Sequence, residues 1–254
     1  CSLVCSEMCI RDRSINIPPL IATVGVFWTM LKGYFPSFSF FSKIHARQIL
    51  TLGLLFFILQ ILYMVISATN EFFISHFFDP SYVVEYQIYM KLFSIIGSLV
   101  TLALVPVWSA ITKAFTEKRF QWIIKLYRML NYAVVVAAII QFLMLPFLRS
   151  IIEFWLKDNA IAVNYCYAFC FVVYSCVSIW IAIQSSIVAG LGKLKVQAWF
   201  YTFAVIFKIV VIILVAKLGG SWITVVNISI VALLPYCVAQ PFYIRKALNE
   251  MKHV

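Results

Sequence analysis

Polar positions between residues 48 and 243 are too sparse to form a continuous face. Apolar runs of about twenty residues follow one another, and the short stretches between them collect Gly, Pro and charge: Asp79-Pro80, Gly190-Leu191-Gly192-Lys193 and Gly219-Gly220. Uninterrupted runs of this length predict helices that are apolar all round, not half-buried strands. They are too long, and alternate too little, for the strands of a membrane β-barrel. A hydrocarbon core about 30 Å thick takes roughly 20 apolar residues in a helix. Seven spans fit: about 16–32, 48–70 with helix continuing toward Phe78, 84–108, 129–148, 162–188, 196–216 and 221–243. The first is short and opens on Pro18-Pro19.

Composition supports lipid as the solvent. The 254 residues are 64% hydrophobic and 11% charged, and the mean hydropathy is +1.01. Soluble domains carry roughly 25% charge, and a folded chain of this size cannot hide so much apolar surface from water. The formal net charge of +11 would suggest a nucleic-acid binder in a soluble protein. In a membrane protein it reports topology, because Lys and Arg collect in cytoplasmic loops. Summed over alternate connections, Lys and Arg number thirteen on one side and three on the other. That places the C-terminus in the cytoplasm and supports all seven boundaries together. Residues 113–130, KAFTEKRFQWIIKLYRML, mix basic and aromatic positions and read as an interfacial amphipathic helix leading into the fourth span, with anionic membrane lipids as its partners.

The seven cysteines do not spell a disulfide framework. Cys166, Cys170, Cys176 and Cys237 lie inside apolar runs, with no His or carboxylate beside them to complete a metal site. Cys1, Cys5 and Cys9 could be taken for a zinc or redox motif. The segment MCIRDR, however, matches the translation of a transposon-derived sequencing adapter. Residues 1–13 are therefore read as an assembly artefact, and the protein is expected to extend further at its N-terminus.

Glu71, Lys91 and Lys208 fall inside the spans. Ionisable groups in lipid are costly and mark functional interiors. At 1.5 Å per residue, Lys91 and Glu71 lie at similar depth, roughly 10 Å from one boundary, so they can form an ion pair. Lys208 lies near the midplane, roughly 18 Å deep, with no acid at its level. It is expected to meet an acid outside this sequence or to face a water-filled cavity and attract an anion. Gln60, Asn131, Gln141, Asn164, Gln184, Asn227 and Gln240 either line that cavity or bond neighbouring helices. GLGKLK at 190–195 lacks the spacing of a phosphate loop and reads as a helix-ending glycine followed by basic anchors. There is no HExxH, no GxSxG and no pair of in-membrane carboxylates, so the chain is not read as an enzyme. No catalytic residue, metal or cofactor is assigned, and no nucleic-acid partner.

The order NEFFISHFFDPSYVVEYQIYMKLF, VPVWSAITKAF, a basic helix, EFWLKD and SIVAGLGKLKVQ resembles the C-terminal half of polysaccharide transporters, the Wzx-type O-antigen flippases of the multidrug/oligosaccharidyl-lipid/polysaccharide exporter superfamily. The resemblance covers about residues 16–246. It implies an all-α polytopic membrane protein: a six-helix C-terminal lobe over 48–246, one partial preceding transmembrane helix and inter-lobe linker over 14–47, and a cytoplasmic tail over 247–254. Near the end of the second span, where many members carry Asp, this chain reads Asn70-Glu71. The implied activity is movement of a polyprenyl-pyrophosphate-linked oligosaccharide across the bacterial inner membrane by alternating access, with an N-terminal lobe of the same protein as partner. Lys91, Lys208, Glu71, Asn70 and Gln184 are then the candidate substrate-binding residues. A multidrug or cation antiporter, a lipid II flippase and a non-transporting membrane scaffold are the alternatives.

Overall fold

The computed structural model describes residues 17–26, 42–157 and 163–252. The adapter-like segment, the Cys1–Cys5–Cys9 motif and the second half of the first expected span lie outside the described residues. The chain divides into two compact units, residues 1–51 and 52–254. In the first, α1 (Ile17–Val26) is a short apolar helix in which the Thr23 hydroxyl donates to the carbonyl of Pro19 at 2.7 Å. The opening residues of α2 (Lys43–Phe77), as far as Thr51, also belong there.

The second unit holds the rest of α2, then α3 (Ser81–Thr116), α4 (Phe120–Met144), α5 (Leu148–Leu156), α6 (Tyr165–Leu191), α7 (Lys195–Lys217) and α8 (Ile223–Lys252). Among the described residues, six helices are long and apolar enough to cross a membrane: α2, α3, α4, α6, α7 and α8. They correspond to the second to seventh expected spans, and they bear out the all-α polytopic class. Their outward surfaces are oily, with Leu102 68% and Leu214 54% exposed. α6 is central and packs against α3, α4 and α8; α7 packs against α8. One core cluster gathers Phe93, Phe171 and Val226 toward one end of the bundle. A second gathers Ile111, Ile183 and Ile187 toward the other.

α3 and α8 run eight and nine residues past their expected ends, and two features differ in kind from the sequence reading. Residues 113–130 do not form one interfacial helix: α3 ends at Thr116, Lys118 takes a left-handed φ of 55°, and α4 starts at Phe120. Glu117 pairs with Arg119 at 3.0 Å inside that turn. The second difference is α5, nine residues that the pattern of long apolar runs did not separate. Pro146 lies in the turn that ends α4. Leu148 and Ile152, one helical turn apart, then enter the core while Arg149 and Glu153 pair outside at 2.8 Å. The Gly192 assignment holds: it closes α6 at φ 68°, its N–H donating to the carbonyl of Ala189 at 3.1 Å while the Lys193 N–H donates to that of Val188 at 3.2 Å.

Small residues set the approach of α3 to α6. The Thr112 hydroxyl lies 3.1 Å from the carbonyl of Gly190. A Cβ on Gly190 would meet Ile111 Cγ2 at 2.6 Å and the Trp108 carbonyl oxygen at 2.9 Å. The backbone contact cannot move aside cheaply, so Gly190→Val is expected to lower the melting temperature by forcing the helices apart, at about 1–3 kcal/mol. Gly53→Ala, inside α2 where nothing lies within 4 Å, should not lower it and should raise it slightly, since Ala is the better helix former.

The turn before α3 is closed by Asp79, whose Oδ1 accepts the Ser81 N–H at 2.8 Å. Bonds from the Ser81 backbone and then its hydroxyl favour the charged form and hold the Asp79 carboxyl below its ordinary value. A group shifted downward stabilises fully above its unfolded value, near 4, and loses that contribution as pH falls through the lower folded value. The protection factor of the Ser81 amide, its exchange rate taken relative to the intrinsic rate at the same pH, should therefore fall on acidification in the wild type. In Asp79→Asn this acid-dependent part should be absent.

Candidate functional site

The spans leave Lys208, in the middle of α7, with no water to solvate it. The fold brings the end of α2 to meet it. The Lys208 ammonium donates to the backbone carbonyl of Ile66, to Thr69 Oγ1 at 3.0 Å and to Asn70 Oδ1 at 2.7 Å. An ammonium has three protons, and each has an acceptor. Ser229 of α8 places its hydroxyl 2.9 Å from Asn70 Oδ1, and Asn70 Nδ2 donates to the hydroxyl of Tyr86 on α3 at 3.2 Å. The ring of Phe73 adds a cation–π contact, its centroid 5.8 Å from Nζ. Asn70 thus ties four helices together. Lys208 is 1% exposed and Asn70 fully buried. Every direct partner of the ammonium is neutral.

Beside this clasp, α2 stands off from α3 and α6 and leaves a groove. One hollow of about 240 Å³ is lined by Tyr63, Ser94, Ser98, Tyr174 and Ser178 among others. A second of about 360 Å³ adjoins it, with Gln60, Ser185, Gln197 and Tyr201 in its walls. Tyr63, Thr101 and Ala182 border both. Ser94, Ser98 and Thr101 follow one another about one helical turn apart on α3, which is how a strip of hydroxyls comes to face the hollow. Their protons are committed to their own helix, at 3.0, 2.7 and 2.8 Å to the carbonyls of Lys91, Ile95 and Gly97. Ser67 and Ser178 are bonded in the same way, at 2.9 and 2.8 Å. Their oxygens can still accept. The groove therefore offers acceptors and aromatic rings, and among the described residues no charged side chain lines either hollow.

The five residues singled out from the sequence are not one site. Lys208 and Asn70 form the clasp, and neither lines the groove. Gln184 is buried between α6 and α4, where it accepts from the Tyr127 hydroxyl at 3.3 Å. Glu71 and Lys91 are exposed, and the expected ion pair between them is not formed; the ion pairs among the described residues are Glu117–Arg119 and Arg149–Glu153. Helix geometry gives the reason. Asn70 takes the inward direction, so Glu71 points elsewhere. Lys91 lies about 200° around the helix from buried Tyr89. Of the remaining amides, Gln141 bonds Ser175 at 2.8 Å across α4 and α6. Asn164 caps α6 by accepting from the N–H groups of Cys166 and Tyr167.

Thr69, Tyr86 and Ser229 were missed as clasp members. An acid is the partner a buried ammonium suggests, while the partners here are neutral oxygens. Thr69-Asn70, two adjacent polar residues within an apolar run, was the available signal.

The chain is thus an all-α, multi-pass membrane protein with a buried cation held by neutral oxygens and an acceptor-lined groove. It matches no family model, no curated protein and no solved structure.

Proposed function

We propose that this chain is part of a membrane transporter that moves a polyprenyl-pyrophosphate-linked oligosaccharide across the bacterial inner membrane, with its C-terminus in the cytoplasm. The groove beside α2 carries the reading. Sugars present many hydroxyl donors and apolar ring faces. A cleft of engaged serine and threonine oxygens interleaved with Tyr63, Tyr174 and Tyr201 complements both. In this reading the groove receives the oligosaccharide, not the pyrophosphate, because among the described residues its walls carry no cation. Among the same residues they carry no carboxylate, which argues against a cation antiporter. A non-transporting scaffold is favoured by the polar groups consumed in helix contacts, Gln141–Ser175 and Tyr127–Gln184.

The discriminating measurement is made in the source cell after depletion of the protein. Lipid-linked oligosaccharide accumulating in the cytoplasmic leaflet, with loss of surface polysaccharide, is the expected result. Normal polysaccharide with no accumulating intermediate would sink the transporter reading and leave the scaffold.

A further inference from the structure

We propose that α4 and α8 together form a binding site for a phosphate ester that carries a neighbouring hydroxyl. Arg128 and Asn131 of α4, one turn apart, face Arg245 and Asn249 of α8 across a hollow of about 290 Å³, which Tyr127 also lines. That volume is several times the roughly 30 Å³ of one liquid water, enough for a phosphate and its hydration.

Charge and bonding point to the same ligand. Among the described residues no carboxylate lines the hollow, and neither guanidinium takes part in an ion pair. Two exposed guanidinium groups on one hollow repel each other until an anion sits between them. The guanidinium fork matches two phosphate oxygens at once. Deeper in, the preference reverses. Asn131 Oδ1 is buried without a partner and calls for a donor, and the Tyr127 oxygen, its proton committed to Gln184 at 3.3 Å, can accept one. A ligand with an anionic head and an adjacent hydroxyl satisfies rim and floor together. A glycerol phosphate, free or as a lipid headgroup, has that chemistry.

A neighbouring hollow of about 200 Å³, lined by Lys193, Lys246 and Gln240, supplies the control. It holds the same number of cations near the same end of α8 but lacks the guanidinium fork. Purified protein in neutral detergent is titrated with short-chain phosphatidylglycerol, with glycerol 3-phosphate and with short-chain phosphatidylcholine, and bound adducts are followed by native mass spectrometry. The wild type should bind phosphatidylglycerol in preference to phosphatidylcholine. Arg128→Gln with Arg245→Gln should weaken this about tenfold or more, as expected for lost charge-assisted bonds. Lys193→Gln with Lys246→Gln should change it by less than about twofold, as exposed point charges do. Binding of glycerol 3-phosphate as well would identify a soluble ester as a ligand; binding of the lipid alone would identify a headgroup site. Either supports the site. Equal losses in the two double variants, an unchanged arginine variant, or no preference for phosphatidylglycerol would overturn it. If circular dichroism shows the arginine double variant unfolded, Arg245→Gln alone, an exposed change near the end of α8, decides the comparison by the same criteria. The measurement is an equilibrium one and requires no transport, so its failure leaves the transporter reading standing, and the converse also holds.

Discussion

Asn70→Leu is expected to destabilise the bundle by about 3 kcal/mol, more than removal of the lysine that Asn70 binds. The leucine is similar in size, so little cavity forms. What is lost is the 2.7 Å acceptor of a buried ammonium, together with the donor to Tyr86 and one acceptor of Ser229. A buried cation left short of partners costs far more than the net value of its bonds. Lys208→Met is expected to cost about 1 kcal/mol, because each oxygen it abandons keeps another partner. Asn70 Oδ1 retains Ser229, Thr69 is bonded to the carbonyl of Val65, and the Ile66 carbonyl stays within its helix. The order should appear in equilibrium unfolding in mixed micelles. The double variant should recover to within about 1 kcal/mol of Lys208→Met alone. A Lys208→Met variant as unstable as Asn70→Leu, with additive effects, would mean that the ammonium contributes stability outright and the stranded-charge account is wrong.

If the chain transports as proposed, filling the groove is expected to cut transport strongly. Gly97→Leu on α3 and Ser178→Phe on α6 insert side chains into the hollow of about 240 Å³ from two walls. A Cβ on Gly97 meets only Ile179 Cγ1, at an ordinary 3.6 Å, so the fold should tolerate the first change. Each variant should reduce surface polysaccharide by about tenfold or more at equal expression, if a cargo passes where the side chain now stands. Leu99→Phe, on the outward surface where Leu99 is 63% exposed, should have no effect. Full activity in both groove variants would place the cargo elsewhere in the protein.

The difference between clasp and groove shows how far one-dimensional pattern reaches. Lys208 was legible as an anomaly, since a lysine near the midplane has no solvent and must have a partner. Its partners were not legible. Asn70 and Lys208 are 138 residues apart, and nothing local marks one neutral amide, Asn70, as the ammonium's acceptor while another, Gln184, meets a tyrosine. The groove was less visible still. Its hydroxyls lie on three helices, and even the strip Ser94, Ser98 and Thr101 reads from the sequence as ordinary small residues in a span. Lys91 and Glu71 erred in the opposite direction: similar depth suggested contact, but depth carries no information about the direction in which a side chain leaves its helix.

The apolar runs by themselves determined that the chain is helical, where its six long helices lie (with ends off by as many as nine residues, at the start of α4 and the end of α8), and that its surface belongs in lipid. Those properties follow from the transfer free energy of side chains and from the requirement that each span satisfy its own backbone, and both are local. Only the tertiary structure decided which helix stands apart from its neighbours, that the buried ammonium is held by neutral oxygens instead of an anion, and that two arginines from α4 and α8 share one hollow. Those outcomes depend on helix rotation and on which helices are neighbours. In a bundle apolar on all sides, the hydrophobic pattern does not encode rotation, because every face is equally soluble in the bilayer and packing alone chooses among them.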